Sequence, residues 1–320
     1  MANCEVSVRD VPTESASVHS AGPTRVTGYA WAGLSVIIFS GWFVATRFSV
    51  TRELRIWDIT ALRFGIGALL LAPTIMRGSS RLPWAAWRQG FVFAMLWGVP
   101  FVLLVALGLR LTSAAEAASI APTIMPVFAG VFAFVFMRQS QGPMRWIGYA
   151  AILAGLACLL SAAALNRGAP DPVGVAALVG AGGLWAAYTL IFRASGLTAT
   201  QAAALICIWS AALFLPVYLF FGLSRFALAS WSELLLQIIY QGVLMSGVAI
   251  FSFNRAVSQL GPSAATAIIA LLPAVVAMLA IPVLAETPTL AEGLSIAVIV
   301  IGVLLASRPA PSPVHSSVQT

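Results

Sequence analysis

The strongest constraint in this sequence is a series of apolar runs between residues 28 and 307, separated by short polar breaks. A helix needs about 20 residues to cross the hydrocarbon layer, at about 1.5 Å per residue, and each run has roughly that length. Turn-forming segments such as NRGAPDP and SQLGPS separate neighbouring runs. The pattern predicts an all-α polytopic membrane protein whose ten spans are 28–48, 57–76, 88–109, 113–136, 144–163, 173–192, 201–222, 234–257, 264–285 and 290–307.

The composition agrees with this prediction and excludes several kinds of chemistry. Hydrophobic residues make up 60% of the 320-residue chain and charged residues 8%, too few to cover a soluble protein of this size. All 17 basic residues are arginine, which excludes a P-loop lysine and a Schiff-base lysine. His19 and His315 lie in polar tails, so no histidine relay or metal site is expected in the apolar body. We therefore predict no cofactor and no metal.

The arginines stand at the ends of the spans and not in one basic cluster, which argues against nucleic-acid binding despite a net charge of +7. With ten spans, ten arginines fall on the side of both chain termini and six on the opposite side. Because cytoplasmic loops carry the excess of arginine, we predict that both termini are cytoplasmic. We expect an inner-membrane protein in contact with the lipid bilayer, with disordered tails at 1–27 and 308–320.

An internal repeat is visible in residue spacing. Trp42 and Pro73 are 31 residues apart, as are Trp185 and Pro216, and a second pair of intervals of 29 residues matches in the same way. The repeats are predicted at 28–163 and 173–307, joined by an outer loop at 164–172. Each repeat holds five spans, an odd number, so the second copy must be inverted relative to the first. Inverted repeats are typical of secondary transporters.

The text of the two halves resembles the drug/metabolite transporter superfamily, in particular its EamA-like metabolite exporters. The resemblance rests on SGWFVATRFSV at 40–50, TALRFGIGALLLAP at 60–73 and RWIGYAAILAGLACLL at 145–160, with GLWAAYTLIFR at 183–193 in the second half. It implies an alternating-access exporter of a small organic metabolite or drug. The family often has glutamate after the fourth and ninth helices, whereas this chain has Gln139 and Glu286.

Prolines are the first candidates for the substrate pathway. Pro122 and Pro126 in the fourth span and Pro273 in the ninth are expected to bend helices at corresponding places in the two repeats. Interrupted helices in matched positions point to the binding site of a transporter. Prolines that only shape helix packing are the alternative interpretation.

Two charges within spans, Arg63 and Glu116, form the second candidate. Both are expected about 5–9 Å below the outer interface, and both are missing from the second repeat, where Ile206 and Ser263 stand. A charge inside the bilayer usually pairs or faces water, so we predict that the two meet. The pair is either a gate or coupling group, or a static ion pair. Arg110 is a competing partner for Glu116.

Polar and aromatic side chains inside spans complete the candidates. Gln237, Tyr240 and Gln241 fall on one stripe of the eighth span with Glu233, either for substrate contact or as links between helices. Internal aromatic residues could wall a pocket, and the candidates are Trp42, Trp185 and Tyr188. The sequence leaves open a passive channel, a counter-transported proton and a homodimer. An intramembrane enzyme is disfavoured, because no histidine or lysine lies in any span, and we predict that the chain is not an enzyme.

Overall fold

The computed structural model describes residues 21–76, 82–136, 138, 141–261, 265, 268–269, 271–285 and 287–306. All regular structure in these ranges is helical. The predicted tails beyond them, and the positions of Gln139 and Glu286, lie outside the described residues.

Six helices lie in the described residues of the first repeat. They are α1 (Ala21–Val50), α2 (Ile56–Met76), α3 (Trp84–Trp97), α4 (Val99–Leu111), α5 (Ala114–Val135) and α6 (Pro143–Arg167). α3 and α4 form one span that is interrupted at Gly98, a residue outside both helices. α1 begins at Ala21, so the helix includes residues 21–27, which the sequence analysis assigned to the tail.

The second repeat begins with α7 (Pro172–Ser195) and α8 (Ala199–Phe220), followed by a 3₁₀ turn at Phe226–Leu228. Its eighth span is α9 (Trp231–Gln237), a π-helical segment (Ile238–Ala249) and α10 (Ile250–Leu260) in direct succession. The last two helices are α11 (Leu272–Leu284) and α12 (Leu290–Ala306). The predicted loop at 164–172 is shortened to 168–171, because α6 continues to Arg167.

Ten spans account for these helices, as the sequence predicted. Eight stretches in the described residues are long and apolar enough to cross a membrane, and α11 and α12 are two shorter apolar helices. An even number of spans places both chain termini on one side, here called the termini side; the other is the far side.

Polar residues start several helices: Ser113 caps α5 and Thr198 caps α8, each in a reciprocal capping box.

The helices of the two repeats pack in matching pairs. α5 packs against α7, as its counterpart α11 packs against α1, and α3 packs against α8 as the π segment packs against α2. α2 and α6 pack against their own counterparts, α8 and α12. A two-fold relation between the repeats produces this exchange of partners. Because each repeat has an odd number of spans, the two copies run in opposite directions through the membrane.

Candidate functional site

A cluster of buried aromatic rings fills the centre of the bundle between the repeats. Trp97 stacks on Tyr188 with ring centroids 4.5 Å apart and on Trp185 at 5.7 Å. Phe101 joins this group to Trp42, whose ring lies 6.3 Å from it in a stacked arrangement. The cluster therefore brings together Trp42, Trp185 and Tyr188, which the sequence analysis selected, and it adds Trp97, which that analysis did not. Its other members are Phe39, Phe43, Phe93, Phe192 and Phe253.

Gln237 and Gln241 link this cluster to α1 through a chain of buried hydrogen bonds. Trp42 donates its indole N–H to Oε1 of Gln241 at 2.9 Å, and Nε2 of Gln241 donates to Oε1 of Gln237 at 3.0 Å and to the Thr46 hydroxyl at 2.9 Å. Nε2 of Gln237 donates to Oγ of Ser49 at 2.9 Å and to the Ala45 carbonyl at 2.8 Å. In this conformation the two glutamines connect helices.

Tyr240, the third member of the predicted polar stripe, lies apart from this chain of bonds. It is half-buried, and its hydroxyl packs directly against Gly41 of α1, where a Cβ atom would collide with it. Glu233 lies at the start of α9 and is buried, with Oε1 lacking a hydrogen-bond partner in the described part of the chain. Gln237, Tyr240 and Gln241 therefore face α1.

Arg63 is fully buried beside the aromatic cluster. Its guanidinium carbon lies 4.9 Å from the centroid of the Trp42 ring and 5.6 Å from that of Phe64. None of its three side-chain nitrogens has a hydrogen-bond partner among the described residues. Cys207 of α8 lies within electrostatic range of it. A buried guanidinium without a hydrogen-bond partner in the described part of the chain is costly in a membrane protein, even beside aromatic faces.

The predicted contact between Arg63 and Glu116 is not formed. Glu116 lies in the first turn of α5, where its carboxylate accepts the backbone N–H of Ser113 at 2.8 Å and completes the capping box. It lines a cavity of about 560 Å³ on the far side together with Arg47 and Asp171. Equal depth in two spans does not imply contact, because the helix cap turns Glu116 toward the far surface while Arg63 points into the centre.

The prolines lie in the predicted spans, inside a continuous helix in the first repeat and beside a turn in the second. Pro122 and Pro126 are buried inside α5, where each removes a backbone hydrogen bond to the residue four positions earlier. Pro273 is the second residue of α11 and follows a turn at Leu271; the described residues 265, 268 and 269 before this turn are helical too, so the ninth span is interrupted beside Pro273. Proline suits that position because the first-turn N–H groups have no helical partner.

The third and eighth spans are both irregular at matched positions. The third span is broken at Gly98, where a Cβ atom would collide with Ser210 of α8 and the Ala94 carbonyl. The counterpart of Gly98 in the repeat is Met245, inside the π-helical segment. Both irregularities lie beside the aromatic cluster. Interrupted helices in corresponding places of inverted repeats are expected where a transporter binds its substrate.

Asn254 and Cys207 belong to the centre as well, although sequence reasoning did not select them. Tyr188 donates its hydroxyl proton to Oδ1 of Asn254 at 2.9 Å, while Nδ2 of Asn254 has no partner in the described residues. Cys207 is fully buried within electrostatic range of both Arg63 and Tyr188. The sequence could have indicated Asn254 as a candidate, because asparagine is rare in an apolar span. It held no comparable indication for Cys207, because a lone cysteine is common in such spans.

Two arginines make matching contacts at opposite ends of the bundle. Arg47 lies in the last turn of α1 and donates to the carbonyls of Leu109, at 2.6 Å, and Arg110, at 3.3 Å, near the end of α4 on the far side. Arg193 lies in the last turn of α7 and donates to the Ser258 carbonyl, at 3.1 Å, near the end of α10 on the termini side. In each repeat the last turn of the first span is thus hydrogen-bonded to the end of the third span.

These features define a class. Ten apolar spans in two inverted repeats, with matched interruptions around a buried polar and aromatic centre, make this a multi-pass membrane transporter. The EamA-like transporter family matches the chain over residues 26–161 and 172–308, and the chain belongs to that family. It is a membrane transporter of the drug/metabolite transporter type.

A solved crystal structure of a protein has a similar fold, with a TM-score of 0.65 and 22% sequence identity. The similarity covers 88% of this chain and 97% of that one. At this level of identity the similarity concerns the fold alone. The comparison with curated proteins finds no match.

Proposed function

We propose that this protein is a secondary transporter that exports a small organic solute across the inner membrane by alternating access, with both termini in the cytoplasm. The transport site is the centre between the repeats, formed by Arg63, the aromatic cluster and Asn254. The excess of arginine on the termini side supports the orientation. The inverted repeat supports the mechanism, because two related halves can exchange conformations about a central site.

The matched contacts of Arg47 and Arg193 carry the mechanistic part of the proposal. Alternating access requires one barrier on each side of the site and at least one barrier closed at any time. Arg47 closes the far side by tying α1 to α4, and Arg193 closes the termini side by tying α7 to α10. With both contacts formed, the centre is closed to both sides, which is the occluded state of a carrier.

Hydrogen bonds from a charged donor contribute about 1.5–3 kcal/mol when protected from water, and less at an exposed position. A change of about 1.4 kcal/mol shifts a conformational equilibrium tenfold. Removal of one arginine contact should therefore favour opening on its own side by roughly tenfold, while leaving the opposite contact in place.

Cys207 provides a test of this proposal, because its thiol is buried near the middle of α8 beside Arg63. With Cys4 and Cys158 replaced by serine, Cys207 is the remaining thiol of the chain. We expect Arg47→Gln to make it reactive toward a membrane-impermeant maleimide applied from the far side, and Arg193→Gln from the termini side.

Arg52→Gln is the matched control, since Arg52 follows α1 on the far side and contacts Phe48 of its own helix. Equal labelling from both sides in either variant would indicate a channel and contradict alternating access. A reporter fused after Thr320 tests the orientation separately: activity in its cytoplasmic form is expected, and periplasmic activity would reverse the proposed direction.

A further inference from the structure

The unpaired guanidinium of Arg63 indicates which charge a substrate of the proposed transport site would carry. Burial removes the water that would solvate this charge, and none of its nitrogens donates a hydrogen bond within the described residues. The cation is held against the Trp42 ring, which does not neutralise it. A permanent charge kept unpaired inside the bundle is stabilised when an anion binds beside it.

The other unsatisfied groups around the centre have the same hydrogen-bonding character. The described part of the chain leaves without partners the indole N–H groups of Trp97 and Trp185, Nδ2 of Asn254 and the hydroxyls of Ser40 and Ser210. Every one of these groups can donate a hydrogen bond. Glu233, whose unpaired Oε1 is an acceptor, lies away from the centre at the start of α9. The centre therefore offers donors and a positive charge, and it needs acceptors.

The aromatic rings connect the charge to these donors. The Trp42 ring contacts both Arg63 and Phe101, and Phe101 contacts Trp97 and Trp185 with ring centroids 6.1 and 5.8 Å apart. A ligand whose anionic end reaches Arg63 would place its apolar body along these rings. Flat aromatic faces favour a planar or slender body over a bulky one.

We infer that the substrate is a small amphipathic organic acid whose carboxylate binds the Arg63 guanidinium while its apolar, preferably aromatic, body lies on the Trp42–Phe101–Trp97 faces. This inference rests on the proposed function, because it identifies the aromatic centre as the transport site. Arginine suits this role since its planar fork donates two parallel hydrogen bonds to one carboxylate. A cationic substrate would face the Arg63 charge without a counter-charge, and a neutral one would leave it unpaired.

Three probes of similar size test the charge preference on the purified full chain in a neutral detergent free of anionic lipid: 3-phenylpropionate, its amide, and 3-phenylpropylamine. We expect the carboxylate to raise the melting temperature and to bind at least about tenfold more tightly than the amide in calorimetry. The amine should not bind. The absence of anionic lipid ensures that a shift arises from the probe.

Arg63→Gln should reduce carboxylate binding to the level of the amide, whereas Arg63→Lys should retain part of the preference because it keeps the charge. Arg52→Gln, which removes an arginine outside the centre, should bind like the unmodified chain. The ligand-free melting temperature provides a second measurement. It should stay equal or rise in Arg63→Gln, because an unpaired buried charge is removed.

Three results would overturn the inference: no carboxylate binding by the unmodified chain, equal binding of acid and amide, or a carboxylate preference that survives Arg63→Gln. A fall in the ligand-free melting temperature of Arg63→Gln would identify Arg63 as a structural residue. A failure of the proposed function would give a different result from a failure of this inference. The acid would still bind in detergent and depend on Arg63, but reconstituted vesicles would show no counter-transport of labelled acid.

Discussion

Replacement of Gln241 by leucine should destabilise the bundle through the loss of one side chain that joins two helices. Gln241 takes part in three side-chain hydrogen bonds, with Trp42, Thr46 and Gln237, all between 2.9 and 3.0 Å. Leucine has a similar length but no polar atoms. The change therefore leaves the Trp42 N–H and Oε1 of Gln237 without their partners in a region closed to water.

The magnitude follows from the cost of such bonds in a bilayer. An interhelical hydrogen bond in a membrane protein contributes about 0.6 kcal/mol on average and about 1.7 at most. The bond to Gln237 lies within one span, so the two interhelical bonds, to Trp42 and Thr46 of α1, amount to roughly 1–3 kcal/mol. Leucine recovers little of this loss, because lipid is as apolar as the bundle interior and burial brings no hydrophobic gain. We expect the free energy of unfolding to fall by about 1–3 kcal/mol.

The assay is reversible unfolding in mixtures of a mild detergent and dodecyl sulfate, followed by tryptophan fluorescence. Gln89→Leu, at a half-buried position on α3 that faces a surface groove, is the matched control and should change stability by less than about 0.5 kcal/mol. Trp42→Phe should lower the free energy of unfolding by about 1 kcal/mol, and the effect of the double substitution with Gln241→Leu should be smaller than the sum of the two single effects. Strict additivity, or equal effects of the two glutamine substitutions, would refute the assigned network.

Three further predictions concern other parts of the fold. Gly302→Ala should cost about 1–3 kcal/mol of stability, because its Cβ would lie 2.8 Å from a backbone nitrogen of α6, whereas Gly293→Ala on the same helix meets nothing within 4 Å and should be neutral in the same assay. Gly98→Ala should slow counter-transport in vesicles, because its Cβ would collide with α8 at the break in the third span; an unchanged rate would contradict a role for that break. Asp58→Ala should lower the melting temperature by several degrees, because the buried carboxylate accepts bonds from the Tyr218 hydroxyl and two backbone N–H groups; an unchanged value would show these bonds to be dispensable.

Much of the candidate site could be located from the sequence, but its contacts could not. Polar and charged residues are rare in apolar spans, which is why Arg63 and Gln241 are recognisable as candidates in the sequence alone. The partner of Arg63 could not be predicted, since residue spacing gives depth in the membrane but not the direction in which a helix faces. The sequence did hold a signal against Glu116: serine followed three residues later by glutamate, at Ser113 and Glu116, is the pattern of a helix cap.

The division between sequence and structure has a physical origin. Each span must be long enough and apolar enough to cross the bilayer by itself, so the ten spans, the repeat and its inversion are determined locally and can be derived from the chain alone. The rotation of each helix against its neighbours depends on residues far apart in sequence. Only the tertiary structure could therefore show that Gln241 reaches Trp42, that Arg47 and Arg193 make matching contacts at opposite ends of the bundle, and that Arg63 is buried with no hydrogen-bond partner among the described residues.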